Sequence, residues 1–334
     1  MSEEISNLTP DTIDRLEAGV APALALLAGM DLDVFSLLAN GPRSAAMLAT
    51  DLGLDEDRLS RLLYALVLTN LLTYENGHFA NSPEAAAFLV KGSPRYIGGG
   101  HELRREIWEA DLKTAESIRR GAPAALHDFA EMDEASLTAF LRGMIPFAMA
   151  TGRALGKQFD FSSVGSIVDV GGGSGAALAG LMEQHATMRG TLFELPSVAK
   201  ATAALLDDFP CRDRIAIETG DITAAPLKGK HDAALLRALV QVLAPEDAAK
   251  AIRHAVAGLR PGGHIYITGS GILNDDRLSP PAGVYLNVTL MNFYPSGRSY
   301  TTSEHVDWLK AAGCADPVQM TVRGGSAVIR ATKT

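Results

Sequence analysis

The sequence predicts an α/β protein of two domains, with a mainly helical N-terminal part followed by a mainly parallel sheet covered by helices on both faces. The length of 334 residues exceeds one compact core, because domains usually contain about 100–200 residues. Apolar residues recur at helical spacing up to about residue 155, whereas short apolar runs alternate with amphipathic helices from Ser163 onward. We divide the chain into residues 1–100, a helical region over 101–160 and the sheet domain over 161–334.

Composition and charge argue against two classes of partner. The formal net charge is −9, from 30 Lys and Arg against 39 Asp and Glu, which opposes binding to phosphate backbones or anionic lipids. Hydrophobic residues make up 47% and charged residues 21%, as in a soluble globular protein. The longest apolar stretch, 20–30, is shorter than the ~20 residues that span a bilayer. We therefore predict neither a nucleic-acid partner nor a membrane partner.

The chain start and the cysteines indicate a cytoplasmic protein. Residues 1–4 lack the basic segment of a secretory signal, and Cys211 and Cys314 form no disulfide or metal framework. The adjacent acids at 207–208 and 275–276 have no His or Cys at ligand spacing. We therefore predict no metal site.

The N-terminal part has the order of a winged helix, with helices followed by a hairpin. Apolar residues at near-helical spacing over 24–38 predict the first helical segment, and 45–52 and 58–71 predict two further helices. An Asn-Gly turn lies within the hairpin predicted over 72–79. The third helix opens with three acids at 55–57, which disfavours DNA binding and favours a packing or dimerisation role.

The remaining elements are predicted from the change of period. Residues 84–155 read as further helices with a break over 121–129, and 158–165 reads as a domain junction. Seven short apolar runs then predict strands. They span 166–170, 189–193, 215–219, 232–236, 264–270, 317–322 and 326–331.

A glycine-rich turn indicates a ligand site. The strand 166–170 leads directly into Gly-Gly-Gly-Ser-Gly at 171–175, which opens a predicted helix over 176–184. Glycines at such a turn let the backbone approach a ligand and present main-chain N–H groups. The run does not have the G-x-G-x-x-G spacing of dinucleotide folds. Glu194 ends the next strand, where its carboxylate could accept hydrogen bonds from ribose hydroxyls.

Four motifs together resemble a known family. They are V-D-V-G-G-G-S-G at 168–175, an acid followed by Leu-Pro at 194–196, Gly-Asp at 220–221 and R-P-G-G-H-I at 260–265. The chain is similar to the small-molecule S-adenosylmethionine (SAM)-dependent methyltransferases of the plant and bacterial O-methyltransferase type. The resemblance covers nearly the whole chain. It implies a winged-helix dimerisation domain, an acceptor-covering helical region, a class I Rossmann-like methyltransferase domain, SAM as cofactor, a small-molecule acceptor and a homodimer.

The resemblance also implies which residues contact the cofactor. Carried over by position, these are Asp169, Gly171 and Gly173 at the methionine end, Glu194 at the ribose, Gly220, Asp221 and Ile222 near the adenine, and Arg237 where many relatives carry a lysine.

One departure from the family pattern bears on the chemistry. Gln241 stands where O-methylating relatives carry the histidine that accepts the acceptor proton, with Val242 and Leu243 in place of the following Asp-Trp. A carboxamide does not titrate near neutrality, so Gln241 can position a group but cannot act as a base. A thioether sulfur has no proton to lose. We therefore expect S-methylation, as in the bacterial S-methyltransferases that act on 4-methylthio-2-hydroxybutyrate in dimethylsulfoniopropionate synthesis, with an aromatic wall for the product sulfonium.

Other functions remain open. The chain could methylate oxygen, nitrogen or carbon with His101 or His127 as a replacement base, or bind SAM without catalysis. In the family the acceptor lies against helices corresponding to 100–155 and against the stretch after the fifth strand. The acceptor-binding candidates, which include arginines suited to a carboxylate, are His101, Arg104, Trp108, Arg142, Phe147, Tyr285, Asn287 and Met291.

Overall fold

The computed structural model describes residues 8–129, 131–322 and 327–334. The backbone divides into two compact units, Met1–Arg105 and Glu106–Thr334. The start of the chain, used above to predict localisation, lies outside the described residues, as does Ser326 of the last predicted strand. The domain boundaries placed at residues 100 and 160 stay predictions.

The N-terminal unit consists of short helices and one hairpin. Its elements are α1 (Asp11–Ala18), α2 (Val20–Asp31), α3 (Val34–Leu37), α4 (Ala45–Leu52), α5 (Glu56–Leu68), β1 (Leu72–Glu75), β2 (His78–Asn81), α6 (Pro83–Phe88) and the first part of α7 (His101–Asp111). Their apolar faces form one core around Phe35, Leu48 and Leu63, all with exposures of 1% or less.

Local signals explain the boundaries of these elements. The Asp55 side chain accepts a hydrogen bond from the Arg58 N–H at 2.9 Å, so it caps α5, which begins and ends earlier than the predicted 58–71. Asn70, with φ of 61°, follows the end of this helix. The hairpin turns at Asn76 and Gly77, both with positive φ, as its Asn-Gly pair predicts. The predicted order of helices followed by a hairpin is confirmed.

Two helices complete the helical region of the second unit. These are α8 (Thr114–Arg120) and the long α9 (Glu134–Gln158). Gly121, with φ of 63°, ends α8, and the Asp133 side chain caps α9 by accepting from the Ser136 N–H at 2.9 Å. The break predicted over 121–129 therefore lies between two helices.

The rest of the second unit is a seven-stranded sheet with flanking helices. In chain order the elements are β3 (Ser166–Val170), α10 (Ala176–Met182), β4 (Arg189–Glu194), α11 (Pro196–Leu206), β5 (Ile215–Thr219), β6 (His231–Arg237), α12 (Pro245–Ala257), β7 (Leu259–Gly269), β8 (Ile272–Leu273), α13 (Pro281–Phe293), β9 (Tyr300–Thr301), α14 (Thr302–Ala311), β10 (Cys314–Thr321) and β11 (Ala327–Lys333). The strand order is β10-β11-β7-β6-β3-β4-β5, and β8 pairs with β9 outside this sheet.

The direction of the strands shows at which edge of the sheet a ligand would bind. Within the seven-stranded sheet as described, strands β3 to β7 are mutually parallel, and β11 pairs antiparallel with β7 and with β10. The carboxyl ends of β3, β4 and β6 therefore share one edge, where ligands bind in open α/β sheets. β7 begins at Leu259 rather than at the predicted residue 264, because Leu259 already pairs with His231 before a bulge.

Glycines allow α9 to approach α10 closely. A Cβ added to Gly152 would lie 1.9 Å from the Ala177 carbonyl oxygen, and one added to Gly180 would lie 2.5 Å from the Met149 carbonyl oxygen. No larger residue fits at either position without a backbone shift. This contact fixes α9 beside the helix that follows the glycine-rich turn.

Candidate functional site

The glycine-rich turn after β3 has a backbone that other residues adopt only with strain. Gly171, Gly173 and Gly175 have φ of 65°, 59° and 73°. The Gly171 N–H donates to the Phe193 carbonyl at 2.8 Å, which ties the turn to β4. A Cβ on Gly173 would lie 3.0 Å from a methyl carbon of Leu141 on α9. The turn is therefore rigid, and its surface is bare main chain.

Asp169 is a buried acid without a partner next to this turn. It has no solvent exposure, and no described residue donates a hydrogen bond to either carboxyl oxygen. A Cβ on Gly172 would lie 2.6 Å from the Asp169 Cγ, so the carboxyl lies against the turn. Burial raises its pKa to about 7, although the charge of Arg237 opposes the rise. An unpartnered buried carboxyl indicates a site for a ligand that donates hydrogen bonds or carries positive charge.

Glu194 connects the turn to the neighbouring strand ends. Its Oε1 accepts from the Gly173 N–H at 2.7 Å and its Oε2 accepts from the Leu195 N–H at 3.0 Å. Its backbone carbonyl accepts from the Gly220 N–H at 2.9 Å. Burial raises the pKa of Glu194, and the hydrogen bond from Gly173 opposes that rise. Each carboxyl oxygen retains a second lone pair that could accept a hydroxyl.

Residues 220–222 form the next part of this edge. A Cβ on Gly220 would lie 2.6 Å from the Phe193 ring, so only glycine fits there. Asp221 is exposed, and its Oδ1 accepts from both the backbone N–H and the hydroxyl of Thr223. Ile222 is buried in the sheet core, and its carbonyl bonds to the His254 ring at 2.7 Å.

Arg237 lies at the end of β6, beside α9. Its Nε donates to Thr151 Oγ1 at 3.4 Å, and the Thr151 hydroxyl donates to the Phe147 carbonyl at 3.0 Å. Burial lowers the pKa of Arg237, while the Asp169 charge raises it. The next residue, Ala238, has φ of 56°, a conformation that is uncommon outside glycine and often occurs at functional sites.

Comparison with known proteins identifies the family. A model of the O-methyltransferase domain matches residues 115–315, which is more than half of the chain. The chain belongs to the O-methyltransferase family. A model of the O-methyltransferase dimerisation domain also matches, over residues 18–91. This O-methyltransferase family member is therefore a SAM-dependent methyltransferase of small molecules with the class I fold.

Individual relatives agree with this assignment. The chain is 31% identical over 333 residues to 3-hydroxy-5-methyl-1-naphthoate 3-O-methyltransferase from Streptomyces sahachiroi, covering 97% of this chain and 95% of the relative. The fold of this chain is similar to that of an O-methyltransferase family protein from Burkholderia thailandensis, with a TM-score of 0.85, 22% identity and 98% of each chain covered. It is also similar to human N-acetylserotonin methyltransferase in complex with SAM, with a TM-score of 0.83, 21% identity and 97% of each chain covered.

The residues at the sheet edge fit SAM, which is the family's cofactor. The unpartnered Asp169 carboxyl suits the cationic methionine end, and the bare turn at Gly171 and Gly173 leaves room for a close approach. The free lone pairs of Glu194 suit the ribose hydroxyls. Five of the eight predicted cofactor residues come together through direct bonds or charge interactions, namely Asp169, Gly173, Glu194, Gly220 and Arg237. Gly171 bonds to Phe193, the residue before Glu194. Asp221 and Ile222 follow Gly220 in the chain, and their predicted place beside the adenine stays a prediction.

Gln241 is engaged by the backbone. Its Oε1 accepts from the Gly271 N–H at 3.0 Å, and its own carbonyl accepts from the Arg298 N–H at 2.9 Å. A Cβ on Gly269 or Gly271 would lie 2.9 Å or 2.6 Å from Gln241 Oε1, so both glycines make room for this side chain. The carboxamide therefore holds the turn after β7.

The predicted acceptor residues lie in different environments. The Arg142 guanidinium is 3.8 Å from the Asp208 carboxylate, and both side chains are more than half exposed, so Arg142 faces the surface. Tyr285 is 73% exposed. Asn287 Oδ1 accepts from the Ser299 N–H at 2.6 Å, so its carbonyl oxygen holds the backbone. Trp108 and Met291 are partly buried, on α7 and α13 respectively.

The other three candidates lie at α9 and in the N-terminal unit. Phe147 is 42% exposed, on the helix that carries Thr151. His101 and Arg104 belong to the N-terminal unit. There the His101 Nδ1 bonds to the Gly98 carbonyl at 2.8 Å, and Nε2 lies 3.5 Å from an Asp31 oxygen. The roles predicted for these acceptor residues stay predictions.

His127 forms a pair with a residue that sequence reasoning missed. Its Nε2 lies 2.6 Å from Glu106 Oε1, while its buried Nδ1 has no hydrogen-bond partner within the part of the chain that the structure describes. Four aromatic rings surround the imidazole, with centroids between 4.0 and 6.3 Å away, and we call them the aromatic cluster. They are Phe129, Phe140, Phe293 and Tyr294. Glu106 is 21 residues from His127 and has no motif around it, so only the fold reveals the pair.

Two further polar residues were also missed. Thr202 on α11 donates to the Gly173 carbonyl at 2.7 Å and holds the glycine-rich turn from the other side. Asn292 on α13 is fully buried, accepts from the Ser117 hydroxyl at 2.6 Å and donates to Thr114 Oγ1 at 2.9 Å. These bonds fasten α8 to α13 near the aromatic cluster. Both side chains are polar and buried, which marks them once the structure is known. Burial cannot be read from single residues of a sequence, so the sequence did not identify them.

The described residues offer neither a metal-binding cluster nor a membrane-spanning helix. Within them, no group of three or more His, Cys, Asp or Glu side chains could hold a metal ion. Among the same residues, no helix has both the length and the apolar character to cross a bilayer.

Proposed function

We propose that this enzyme transfers the SAM methyl group to a hydroxyl oxygen of a small aromatic acceptor. The observation that carries the SAM half is the unpartnered, buried Asp169 carboxyl beside the glycine-rich turn. The hydroxyl is supported by the relative of 31% identity, a 3-O-methyltransferase of a hydroxynaphthoate. When bound, SAM supplies an electrophilic methyl group on a sulfonium. The protein then needs to orient the acceptor, exclude water and remove the hydroxyl proton.

Gln241 does not remove this proton in the proposed reaction. Its side-chain oxygen, Oε1, accepts a hydrogen bond from the Gly271 N–H, and an amide has no basic form near neutral pH. Its contribution is to hold the turn after β7. A base elsewhere is therefore required for a hydroxyl acceptor.

A second candidate acceptor is a thioether, such as 4-methylthio-2-hydroxybutyrate. The observation that favours it is the same engagement of Gln241 by the backbone, since a sulfur lone pair attacks without losing a proton. The relatives described above give this acceptor no support, because the activities in their names are O-methylations or are given only as methyl transfer. We therefore rank it below the hydroxyl.

Three probes separate the candidates. Purified protein is incubated with SAM and 3-hydroxy-1-naphthoate, its 3-methoxy analogue or 4-methylthio-2-hydroxybutyrate, and S-adenosylhomocysteine and products are followed by mass spectrometry. We expect turnover and a methyl ether with the hydroxynaphthoate and none with the matched methoxy compound. A sulfonium product from the thioether would favour the second candidate. Failure to bind S-adenosylhomocysteine in calorimetry would overturn the assignment of the cofactor residues.

We further infer that the enzyme works as a homodimer. The dimerisation-domain match over 18–91 supports this. Large apolar side chains on α1 and α2 are also exposed, including Leu16 at 61% and Leu24 at 51%. Such a surface usually marks a contact with another protein.

A further inference from the structure

The Glu106–His127 pair has the geometry of an oriented imidazole base. The Nε2–Oε1 distance of 2.6 Å is that of a strong hydrogen bond, and Glu106 is 43% exposed whereas the His127 side chain is 6% exposed. An ionised carboxylate can only accept, so Nε2 carries the proton in the neutral imidazole. The basic lone pair is then on Nδ1, which has no hydrogen-bond partner among the described residues. A carboxylate that orients a histidine in this way is a recurring arrangement in acid–base catalysis.

The surroundings of His127 can accommodate the positive charge that proton transfer would create on the imidazole. The Phe293 ring centroid is 4.0 Å from the imidazole centroid and the Phe140 centroid is 5.2 Å away. Aromatic rings stabilise a nearby cation, and the Glu106 carboxylate supplies the opposite charge. Tyr294 also faces the imidazole, and burial and the charge of Glu106 both raise the pKa of its phenol. Tyr294 therefore stays neutral and adds no negative charge of its own.

The pair is linked to the cofactor turn through α9. Phe140 contacts the His127 ring, and the next residue, Leu141, contacts the position of Gly173. His127 also donates its backbone N–H to the Phe293 carbonyl at 2.9 Å, at the end of α13. The imidazole thus lies where the two segments that the family resemblance assigns to the acceptor meet, against Phe140 of the first and Phe293 of the second. Nδ1 is enclosed, so an acceptor reaches it only after a ring in the aromatic cluster moves, as in sites that close over their substrate.

We propose that His127, oriented by Glu106, accepts the acceptor proton in place of the histidine that Gln241 replaces, and that the aromatic cluster selects a flat aromatic alcohol. This inference rests on the proposed methyl transfer to a hydroxyl. The acceptor oxygen bonds to the methyl carbon while the bond from that carbon to the SAM sulfur breaks, and the electron pair of that bond stays on sulfur. The hydroxyl proton passes to His127 Nδ1, and the imidazolium returns it to water after the products leave.

The test compares wild type, His127→Gln and Glu106→Gln with 3-hydroxy-1-naphthoate and saturating SAM. The amide of His127→Gln can still reach Glu106 but cannot take a proton, so we expect kcat to fall by about 10²–10⁴, the usual effect of losing a general base. The wild-type kcat should fall at acid pH, because a protonated imidazole cannot accept the acceptor proton, and this fall should be absent in His127→Gln. Glu106→Gln keeps the imidazole but not the charge, so it should show a smaller loss and a displaced acid limb.

Controls separate this inference from the proposed function. Calorimetry with S-adenosylhomocysteine should give the wild-type affinity in both variants, which also shows that they fold. His264→Gln, at an imidazole that bonds to Thr332 Oγ1 on the far strands, should keep full activity. A His127→Gln kcat within threefold of wild type with an unchanged pH profile overturns the inference but not the methyl transfer. Wild-type transfer to the thioether probe alone also overturns it. Absence of S-adenosylhomocysteine binding by wild type overturns the proposed function itself.

Discussion

The Oε1 atom of Gln241 lies 3.0 Å from the Gly271 backbone nitrogen and accepts its hydrogen bond. At the family position of the histidine base, the side chain therefore holds the main chain. The glycines at 269 and 271 make room for this side chain at the end of β7. The position has become structural, and proton transfer has to occur elsewhere or be unnecessary.

Replacing Gln241 by Ala should therefore leave most of the turnover intact. The variant loses one hydrogen bond, worth about 0.5–1.5 kcal/mol, and the turn after β7 loosens. We expect kcat within about tenfold of wild type and a modest rise in the acceptor KM, measured by S-adenosylhomocysteine formation. A loss of about 10²-fold or more, of the size expected for a general base, would contradict this assignment.

Asp169 should make stability depend on pH in a specific direction. Its pKa is raised to about 7 in the folded chain from 3.8 in the reference state, so the folded state binds the proton more tightly. Stability from this group is present at low pH and is lost as the pH rises from about 4 to about 7.

The Asp169→Asn variant tests this linkage. Asparagine does not titrate, so the free energy of unfolding of the variant, relative to that of wild type, should increase over that window. The increase should reach up to about 4 kcal/mol, since one pKa unit corresponds to about 1.36 kcal/mol. Urea unfolding at pH 5, 6, 7 and 8 measures the difference. A difference that does not change with pH would refute the buried, unpartnered state of Asp169. The same variant should bind SAM much more weakly.

Glu194→Gln should weaken SAM binding by disturbing the glycine-rich turn. The carboxylate accepts two backbone N–H groups, from Gly173 and Leu195, whereas a carboxamide offers one oxygen and turns an NH₂ toward the other donor. An unsatisfied buried donor costs about 1–3 kcal/mol, so we expect roughly a 5- to 100-fold rise in Kd by calorimetry. Glu183→Gln, which loses an exposed ion pair with Arg153, is the matched control and should bind normally.

Gly152→Ala should destabilise the second unit through the contact between α9 and α10. The added Cβ would lie 1.9 Å from the Ala177 carbonyl oxygen, and such overpacking costs about 1–3 kcal/mol. Gly156→Ala is the control on the same helix, since its Cβ meets the end of the flexible Gln184 side chain. Chemical denaturation should show a loss for the first variant and a much smaller change for the second. Equal effects would mean that helix propensity, not the close contact, decides the outcome.

Introducing charged side chains on the exposed apolar surface of α1 and α2 should prevent dimer formation. Leu16→Glu with Leu24→Glu places two carboxylates on the exposed apolar surface, and burying them in an interface is costly. Light scattering after gel filtration should give twice the chain mass for wild type and the single chain mass for the double variant. Leu278→Glu, at an exposed apolar residue of the second unit, should remain dimeric. A monomeric wild type would refute the homodimer.

The sequence alone determined the order of the elements and the cofactor turn, because these depend on short-range patterns. Short apolar runs marked most strands, and helical spacing marked most helices. The glycines at 171, 173 and 175 lie at three positions where the backbone has positive φ. Family motifs added the acids at 169 and 194. The exact start of β7 was missed because a pairing partner, His231, decides it from another strand.

Tertiary structure alone decided what each polar side chain can do. Arg142 was a plausible carboxylate ligand by residue type, yet it faces Asp208 at the surface. Glu106 carried no signal in the sequence, yet it meets His127 in a buried aromatic cluster. Asp169 could be placed at the site from its motif, but its missing partners and its raised pKa appear only once the surrounding chains are packed. Partners distant in sequence meet through packing, and local patterns do not encode their distances or their exposure to water.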